Sequence, residues 1–301
     1  MCGGGGADYA GDGDLYGGLL TLATPPILDN HMHLNPAGRC LDAVREFVHA
    51  GGTHLVLVSL PPWSLGIEID APDDYRQVFD KVLRIAKRAE EAEKVKVFVI
   101  LGVHPAELTK HYGRLGLERS IEIMKGGLEI ARQYVVEGKA IGLKSGRPHY
   151  EVEPKIWDAS NDIMRCGFEH ARDAGCAIQI HTESATVEGI SEIAGIARSV
   201  RLAPEKVVKH FSPPMVTLCE QHGIFPSVLA SEKAIETALS EGTRFMMETD
   251  YIDDLERPGS VLGPKTIPRR TKQLIEKWGE DVFWKIHKEN PEKVYGVKID
   301  L

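Results

Sequence analysis

Short apolar runs rich in β-branched residues alternate along the chain with longer segments of helical period. The runs fall at Ile27–His31, His54–Leu60, Val95–Val103, Ala140–Lys144, Ala177–Thr182, Val207–Phe211, Ile224–Val228 and Arg244–Asp250, and each reads as a β-strand. Between them, Leu41–His49, Asp74–Glu93, Leu117–Val136, Trp157–Ala174, Val187–Val200 and Glu232–Ser240 read as amphipathic helices, with a closing pair at Thr271–Trp278 and Val282–Lys288. Strictly alternating strand and helix predicts the α/β class with parallel strands, since parallel neighbours need a crossover. Eight such units over about 250 residues match a closed (β/α)8 barrel. An open doubly wound sheet is the second arrangement. It is disfavoured because no glycine-rich dinucleotide or phosphate loop follows any of the runs.

Composition adds boundaries to this pattern. Met1–Gly18 holds eight glycines and few large apolar side chains, so residues 1–24 are expected to be a flexible segment ahead of one domain over 25–301. Lys81–Lys94, with interleaved Lys, Arg and Glu, is expected to be the solvated face of one helix. Trp63 is expected to pack under the loop after the second strand, and Pro258–Pro268 to be a loop facing the substrate.

With 301 residues, 43% hydrophobic and 27% charged, the chain has ordinary soluble composition. Its longest apolar run is interrupted by Lys96, so no membrane span is expected. The first basic residue is Arg39 and the segment before it does not read as a secretory signal, so a cytoplasmic location is the expectation. A net charge of -8 disfavours an extended nucleic-acid groove, so a small-molecule or otherwise short substrate is expected. The five cysteines are never spaced as CxxC and suggest neither a disulfide framework nor a metal knuckle. Oligomeric state is left open by the sequence.

The histidines change the picture most. Six of the twelve, His31, His33, His104, His149, His181 and His210, lie at or just past the C-terminal ends of predicted strands. In a TIM barrel those ends share the face that carries the active site. His31 and His33 sit at i and i+2 of one strand, so both rings point the same way and can grip one metal ion, although two unrelated surface histidines would give the same spacing. His181 on the fifth strand, His210 on the sixth and Asp250 on the eighth each add a metal-competent side chain. Imidazole and carboxylate together suit zinc, manganese, iron or cobalt better than calcium.

This set, an HxH pair followed by single ligands on later strands and a closing Asp, resembles the amidohydrolase superfamily of metal-dependent hydrolases. Gly102-Val103-His104-Pro105, His210-Phe211-Ser212, Glu248-Thr249-Asp250 and Asn290-Pro291-Glu292-Lys293-Val294-Tyr295-Gly296 narrow the resemblance to its TatD-like branch. The resemblance spans Pro25 to the C-terminus. It implies a barrel hydrolase with His31, His33 and Asp250 on one divalent ion and His181 and His210 on a second. Zinc is the first expectation, with manganese, magnesium, cobalt or iron as others.

Two departures from the pattern matter. Typical TatD-like proteins carry a bridging Glu on the fourth strand, whereas this chain has Lys144. A protonated ammonium has no lone pair for a metal. Lys144 is therefore expected to be N-carboxylated and to bridge two metals, or to remain free beside a single one; a plain salt bridge to a carboxylate is the third reading. Behind His181, where the nucleases of the branch tend to carry a basic residue, stands the acidic Thr182-Glu183-Ser184.

Arg147 and His149 could then supply phosphate or carboxylate recognition, or serve only as a loop arginine and a supporting histidine. Asp250 is expected to accept the proton of the attacking water, with Arg147, His149 or His104 stabilising developing charge. Phosphodiester hydrolysis of the deoxyribonuclease type is the leading expectation. Lactone, ester or cyclic-amide hydrolysis through a carboxylated lysine is the second, and a barrel that binds metal without catalysis is the third.

Overall fold

The structure is a computed structural model and describes Met1, residues 24–259 and residues 261–301. Most of the glycine-rich segment expected to be flexible therefore lies outside the described residues.

The strands are β1 (Leu28–His33), β2 (His54–Val58), β3 (Lys96–Gly102), β4 (Gly142–Gly146), β5 (Ala177–His181), β6 (Val207–Ser212), β7 (Phe225–Leu229), β8 (Met246–Glu248) and β9 (Tyr251–Ile252). All pairings are parallel, and the order runs consecutively from β8 down to β1 with β9 on the far side of β1. β8 and β9 are two halves of one stretch. The first half bonds β7, with Leu229 opposite Glu248, and the second bonds β1, with Met32 opposite Tyr251.

That single stretch joins both edges of the sheet and gives the TIM-barrel arrangement. A doubly wound sheet, whose strand order reverses, is excluded. The eighth strand, expected to be continuous from Arg244 to Asp250, is instead interrupted at Thr249–Asp250, where Asp250 takes a left-handed φ of 47°.

Side-chain alternation sorts the strands into two apolar layers. On β2, Leu55 and Leu57 pack outward against the helices, while Val56 and Val58 point into the barrel with Leu28, Phe98, Ile100, Val208, Phe225 and Met246. The helices are α1 (Leu41–Ala50), α2 (Tyr75–Ala92), α3 (Ala106–Leu115), α4 (Leu117–Val136), α5 (Pro154–Ala174), α6 (Val187–Ser199), α7 (Val216–His222), α8 (Glu232–Glu241), α9 (Thr266–Trp278), α10 (Glu280–Trp284) and α11 (Asn290–Tyr295). In α2, Tyr75, Val78, Phe79, Val82, Ile85, Ala86 and Ala89 are buried, and the charges at Arg84, Lys87, Arg88, Glu90 and Glu91 face solvent as their pattern predicts.

Three helices, α3, α7 and α11, had no counterpart in the sequence reading. The expected substrate-facing loop ends at Lys265, because Ile267 and Pro268 are buried in the first turn of α9, where proline lacks only a hydrogen bond the helix would not make.

The C-terminal segment plugs the barrel at the N-terminal ends of its strands. Val294, Tyr295 and Ile299 join the inner apolar cluster, and Lys206, just ahead of β6, donates to the Val294 carbonyl. Between α10 and α11 a π-helical turn over Lys285–Glu289 seats His287 against the first amide of β1.

Candidate metal centre

The C-terminal ends of β1, β4, β5, β6 and β8 bring His31, His33, Lys144, His181, His210 and Asp250 together. All but His31 line one cavity, together with His104. On β1 a bulge between Asp29 and Met32 shifts the register against β2, and His31 and His33 meet edge to face with ring centroids 4.8 Å apart.

The proton positions follow from the partners. Gln179 Nε2 donates to the Asn30 carbonyl (2.9 Å) and lies 2.8 Å from the Tyr295 hydroxyl, which fixes its Oε1 as the acceptor 2.5 Å from His31 Nδ1. His31 Nδ1 therefore carries the hydrogen. His33 Nδ1 donates to the Val58 carbonyl at 2.9 Å. Both Nε2 atoms are left as lone-pair donors, 3.1 Å apart, with Asp250 Oδ1 at 3.8 and 3.9 Å. Two ligand nitrogens on one tetrahedral ion are about 3.3 Å apart, from metal–nitrogen bonds of about 2.05 Å. The pair thus has the spacing and the tautomers of metal ligands, and the hydrogen bonds behind each ring hold it in that orientation.

A second group lies beside the first. The rings of His31 and His210 stack with centroids 3.9 Å apart, and His210 Nε2 is 3.1 Å from His181 Nδ1. Glu248 is fully buried. Its Oε1 accepts from the Phe211 amide (2.7 Å) and from His210 Nδ1 (3.0 Å), while its Oε2 has no hydrogen-bond partner among the described residues. His31, His210 and Glu248 can also converge on one ion. A fully buried carboxylate oxygen without a donor is a position that a cation satisfies.

Burial dominates the electrostatics. It pushes His31, His104, His181 and His210 well below the usual imidazole value, and His33 down to about 3, so all five are neutral and competent as lone-pair donors. Glu248 is driven well above the ordinary carboxyl range by the same cause. Asp250 is raised to about 6, an effect opposed by the Lys144 charge. Lys144 is brought down to about 8 by burial, with Asp250 and Glu248 working against the shift. Its Nζ lies 3.0 Å from His31 Nε2, at the centre of the cluster rather than on the surface.

The other residues singled out in the sequence divide. His149 Nδ1 is 2.7 Å from His181 Nε2, directly behind that ring and exposed to solvent. His104 lies against His181 with centroids 4.5 Å apart. Arg147 does not line the cavity. It is 1% exposed; its Nε and Nη2 bind Glu183 at 2.9 and 2.5 Å, Nη2 also binds Glu192, Nη1 binds Asn161, and the guanidinium lies over the Trp157 ring. Each of its three nitrogens has a partner. Glu183, which in the sequence stands where a basic residue is expected, is the partner that neutralises Arg147. Trp63 is 37% exposed and lines the cavity mouth instead of packing under its loop.

Gln179 and Glu248 were not among the expected site residues. Gln179 was legible by alternation, since it stands two residues before His181 on β5 and strand geometry turns both to the same side; Glu248 stands two before Asp250 in the predicted eighth strand, but the break at Thr249–Asp250 ends that alternation in the structure.

The family model for the TatD related DNases matches residues 28–296. The chain belongs to the TatD-related DNase family. An uncharacterized protein of Methanocaldococcus jannaschii is 41% identical over 286 residues, covering 93% of this chain and 99% of that one. Among solved structures, a TatD-like protein of Archaeoglobus fulgidus matches with a TM-score of 0.62 at 16% identity, over 90% of this chain and all of the other. A substituted phosphotriesterase-like lactonase of Deinococcus radiodurans matches with a TM-score of 0.60 at 15% identity, over 91% and 96%. These TatD-like and phosphotriesterase-like neighbours share the barrel.

As a TatD-family member the protein is a metal-dependent hydrolase that uses divalent metal, and the His, Asp and Glu groups described above are its candidate ligands. Among the described residues, no helix is long and apolar enough to cross a membrane.

Proposed function

We propose that this TatD-family hydrolase cleaves phosphodiester bonds in small or short substrates at a two-metal centre. His31, His33 and Asp250 would hold one divalent ion, His181 and His210 the other, and a carboxylated Lys144 would bridge them; zinc fits the donor set first. Bound there, such ions supply a water of lowered pKa and an electrophile for the phosphoryl oxygen. The observation that carries the reading is the convergence of neutral imidazoles, Asp250 and Lys144 on one cavity.

The chain's own residues account for the rest. With its pKa near 8, part of the Lys144 population is free amine at neutral pH. That neutral amine can add to carbon dioxide, forming an N–C bond and releasing one proton to give an anionic carbamate; counted from the ammonium form, two protons leave. Asp250 is the proton acceptor for the attacking water, since its carboxylate faces both His31 and His33. His149, behind His181, can relay charge to solvent, and His104 lines the wall beside it.

A second reading is favoured by one observation. Arg147 lies outside the cavity lining and is held by Glu183, Glu192 and Asn161, so it offers nothing to a phosphate there, while Lys144 supports the carboxylated-lysine chemistry of lactone, ester or cyclic-amide hydrolysis. A panel of bis-p-nitrophenyl phosphate, single-stranded DNA, lactones and dihydropyrimidines separates the two. Turnover of the phosphodiesters supports the first reading, and turnover confined to lactones or cyclic amides replaces it with the second. Metal content by elemental analysis, with and without bicarbonate, tests the bridge: two ions falling toward one when carbon dioxide is excluded is the expected result.

A further inference from the structure

The cavity over the metal ligands is the inner of two chambers. It encloses about 170 Å³, and an outer chamber of about 460 Å³ adjoins it. Leu60, Trp63, Ser64, Ile252 and Arg257 line both and therefore form the throat between them. The inner chamber is too small for much more than the reacting group. Anything attached to that group must pass the throat into the outer one.

Two of the throat residues can recognise a ligand. Arg257 is the only arginine that lines either chamber among the described residues. Its Nε is held 2.8 Å from Asp254 Oδ2, while its two terminal nitrogens have no partner among the described residues. That is the reverse of Arg147, each of whose nitrogens has a partner. Trp63 presents an exposed indole. Lys110 Nζ covers one face at 4.6 Å from the ring centroid, and both residues line a separate recess on that side, so the throat meets the rest of the ring.

The outer chamber also selects against charge. Asp254 and Glu256 line it, and the Asp253 carboxylate beside them is already filled by the amides of Asn35, Arg39 and Cys40 and the Tyr251 hydroxyl. A second phosphate there would meet the Glu256 carboxylate, which has no ion-pair partner among the described residues, beside Asp254, whose charge Arg257 already offsets, whereas a planar neutral group would find the indole. We propose that Arg257 and Trp63 are specificity-determining residues that select a phosphoester with one anionic group at the throat and a planar uncharged body, such as a nucleobase, beyond it. This rests on the phosphodiester reading above and narrows it to single-nucleotide-sized ligands.

The test is binding of thymidine 5′-monophosphate by titration calorimetry, with deoxyribose 5-phosphate as the ligand lacking the ring. It uses the full chain at matched metal content. Stacking on an aromatic side chain and a charge-assisted hydrogen bond each support roughly a tenfold effect. Trp63→Ala and Arg257→Gln are each expected to weaken the mononucleotide about tenfold, and Trp63→Ala to leave deoxyribose 5-phosphate unchanged.

Equal binding of the two ligands by the unaltered protein, no binding of the mononucleotide, or no change in either variant would overturn the proposal. Turnover of the p-nitrophenyl ester of the same nucleotide reads the function separately, with KM expected to rise in both variants and kcat to hold. If the binding pattern appears without turnover of any phosphodiester, the throat assignment stands and the phosphodiester reading falls. Turnover with unaltered KM in both variants means the opposite.

Discussion

Asp29 and Thr249 join the first strand of the barrel to the break in its last one. The Thr249 amide donates to Asp29 Oδ1 at 3.0 Å and the Thr249 hydroxyl to Oδ2 at 2.5 Å, while the His31 amide also reaches Oδ1 at 3.2 Å. Thr249 Oγ1 in turn accepts from the Tyr251 amide, on the other side of Asp250. One buried carboxylate thus fixes the backbone around both His31 and Asp250, and it holds Asp250 in its left-handed conformation.

Replacement of Asp29 by Ala is therefore expected to loosen the metal site more than the fold. Partners that orient metal ligands typically change affinity by about 10- to 100-fold when removed. Metal titration of Asp29→Ala should show a loss in that range with circular dichroism unchanged. Asp29→Asn, which keeps an acceptor for the two amides, should lose far less. Equal affinity in Asp29→Ala and the unaltered protein would sink the idea.

Lys144 gives the sharpest contrast. If it bridges as a carbamate, Lys144→Glu supplies the anionic oxygen pair directly, and metal content should become independent of bicarbonate. Lys144→Met supplies neither charge nor lone pair and should hold fewer ions whatever the carbon dioxide level. Elemental analysis of the three proteins decides the matter. Bicarbonate-dependent loading that persists in Lys144→Glu would place the carbon dioxide effect elsewhere.

Arg147 was expected near substrate, and the structure gives it a different task. Removing a buried guanidinium whose partners are Glu183, Glu192 and Asn161 leaves those groups to rehydrate, since both carboxylates reach solvent. Arg147→Met is expected to lower stability by about 2 kcal/mol, from lost charge-assisted hydrogen bonds. Denaturant unfolding reads this directly, and kcat/KM measured where the variant is folded should change less than twofold. A large rise in KM with stability intact would return Arg147 to the substrate.

How much of this was legible beforehand follows from what each residue does locally. The alternation of short apolar runs with helical segments carried the barrel, because burial on both faces of a parallel strand leaves a continuous apolar run. His31 and His33 were readable because a strand repeats every two residues. Arg147 was not, since its partners lie 36 and 45 positions downstream at Glu183 and Glu192, and only the fold brings them near. Trp63 was misread for a related reason: whether an aromatic after a strand is covered depends on loops from elsewhere in the chain. The break at Thr249–Asp250 depends on Asp29, which is 220 residues away.

The base of the barrel yields a prediction about pH. His287 is fully buried, its Nδ1 accepting from the Leu28 amide at 3.2 Å and its Nε2 lying 2.8 Å from the Thr271 hydroxyl. Burial lowers its pKa to about 3, against 6.5 for the free side chain. The unfolded chain therefore binds a proton that the folded one refuses. Stability from this residue is fully present above pH 6.5 and falls as the pH drops from there toward 3. At pH 5 the loss amounts to about 2 kcal/mol, at 1.36 kcal/mol per unit once the unfolded histidine is charged. His287→Gln keeps an acceptor and a donor but cannot titrate. Its unfolding free energy, compared with the unaltered protein at pH 7.5 and pH 5, should show a pH-dependent loss smaller by that amount. The same loss in both proteins would show that His287 is not what makes the barrel base sensitive to acid.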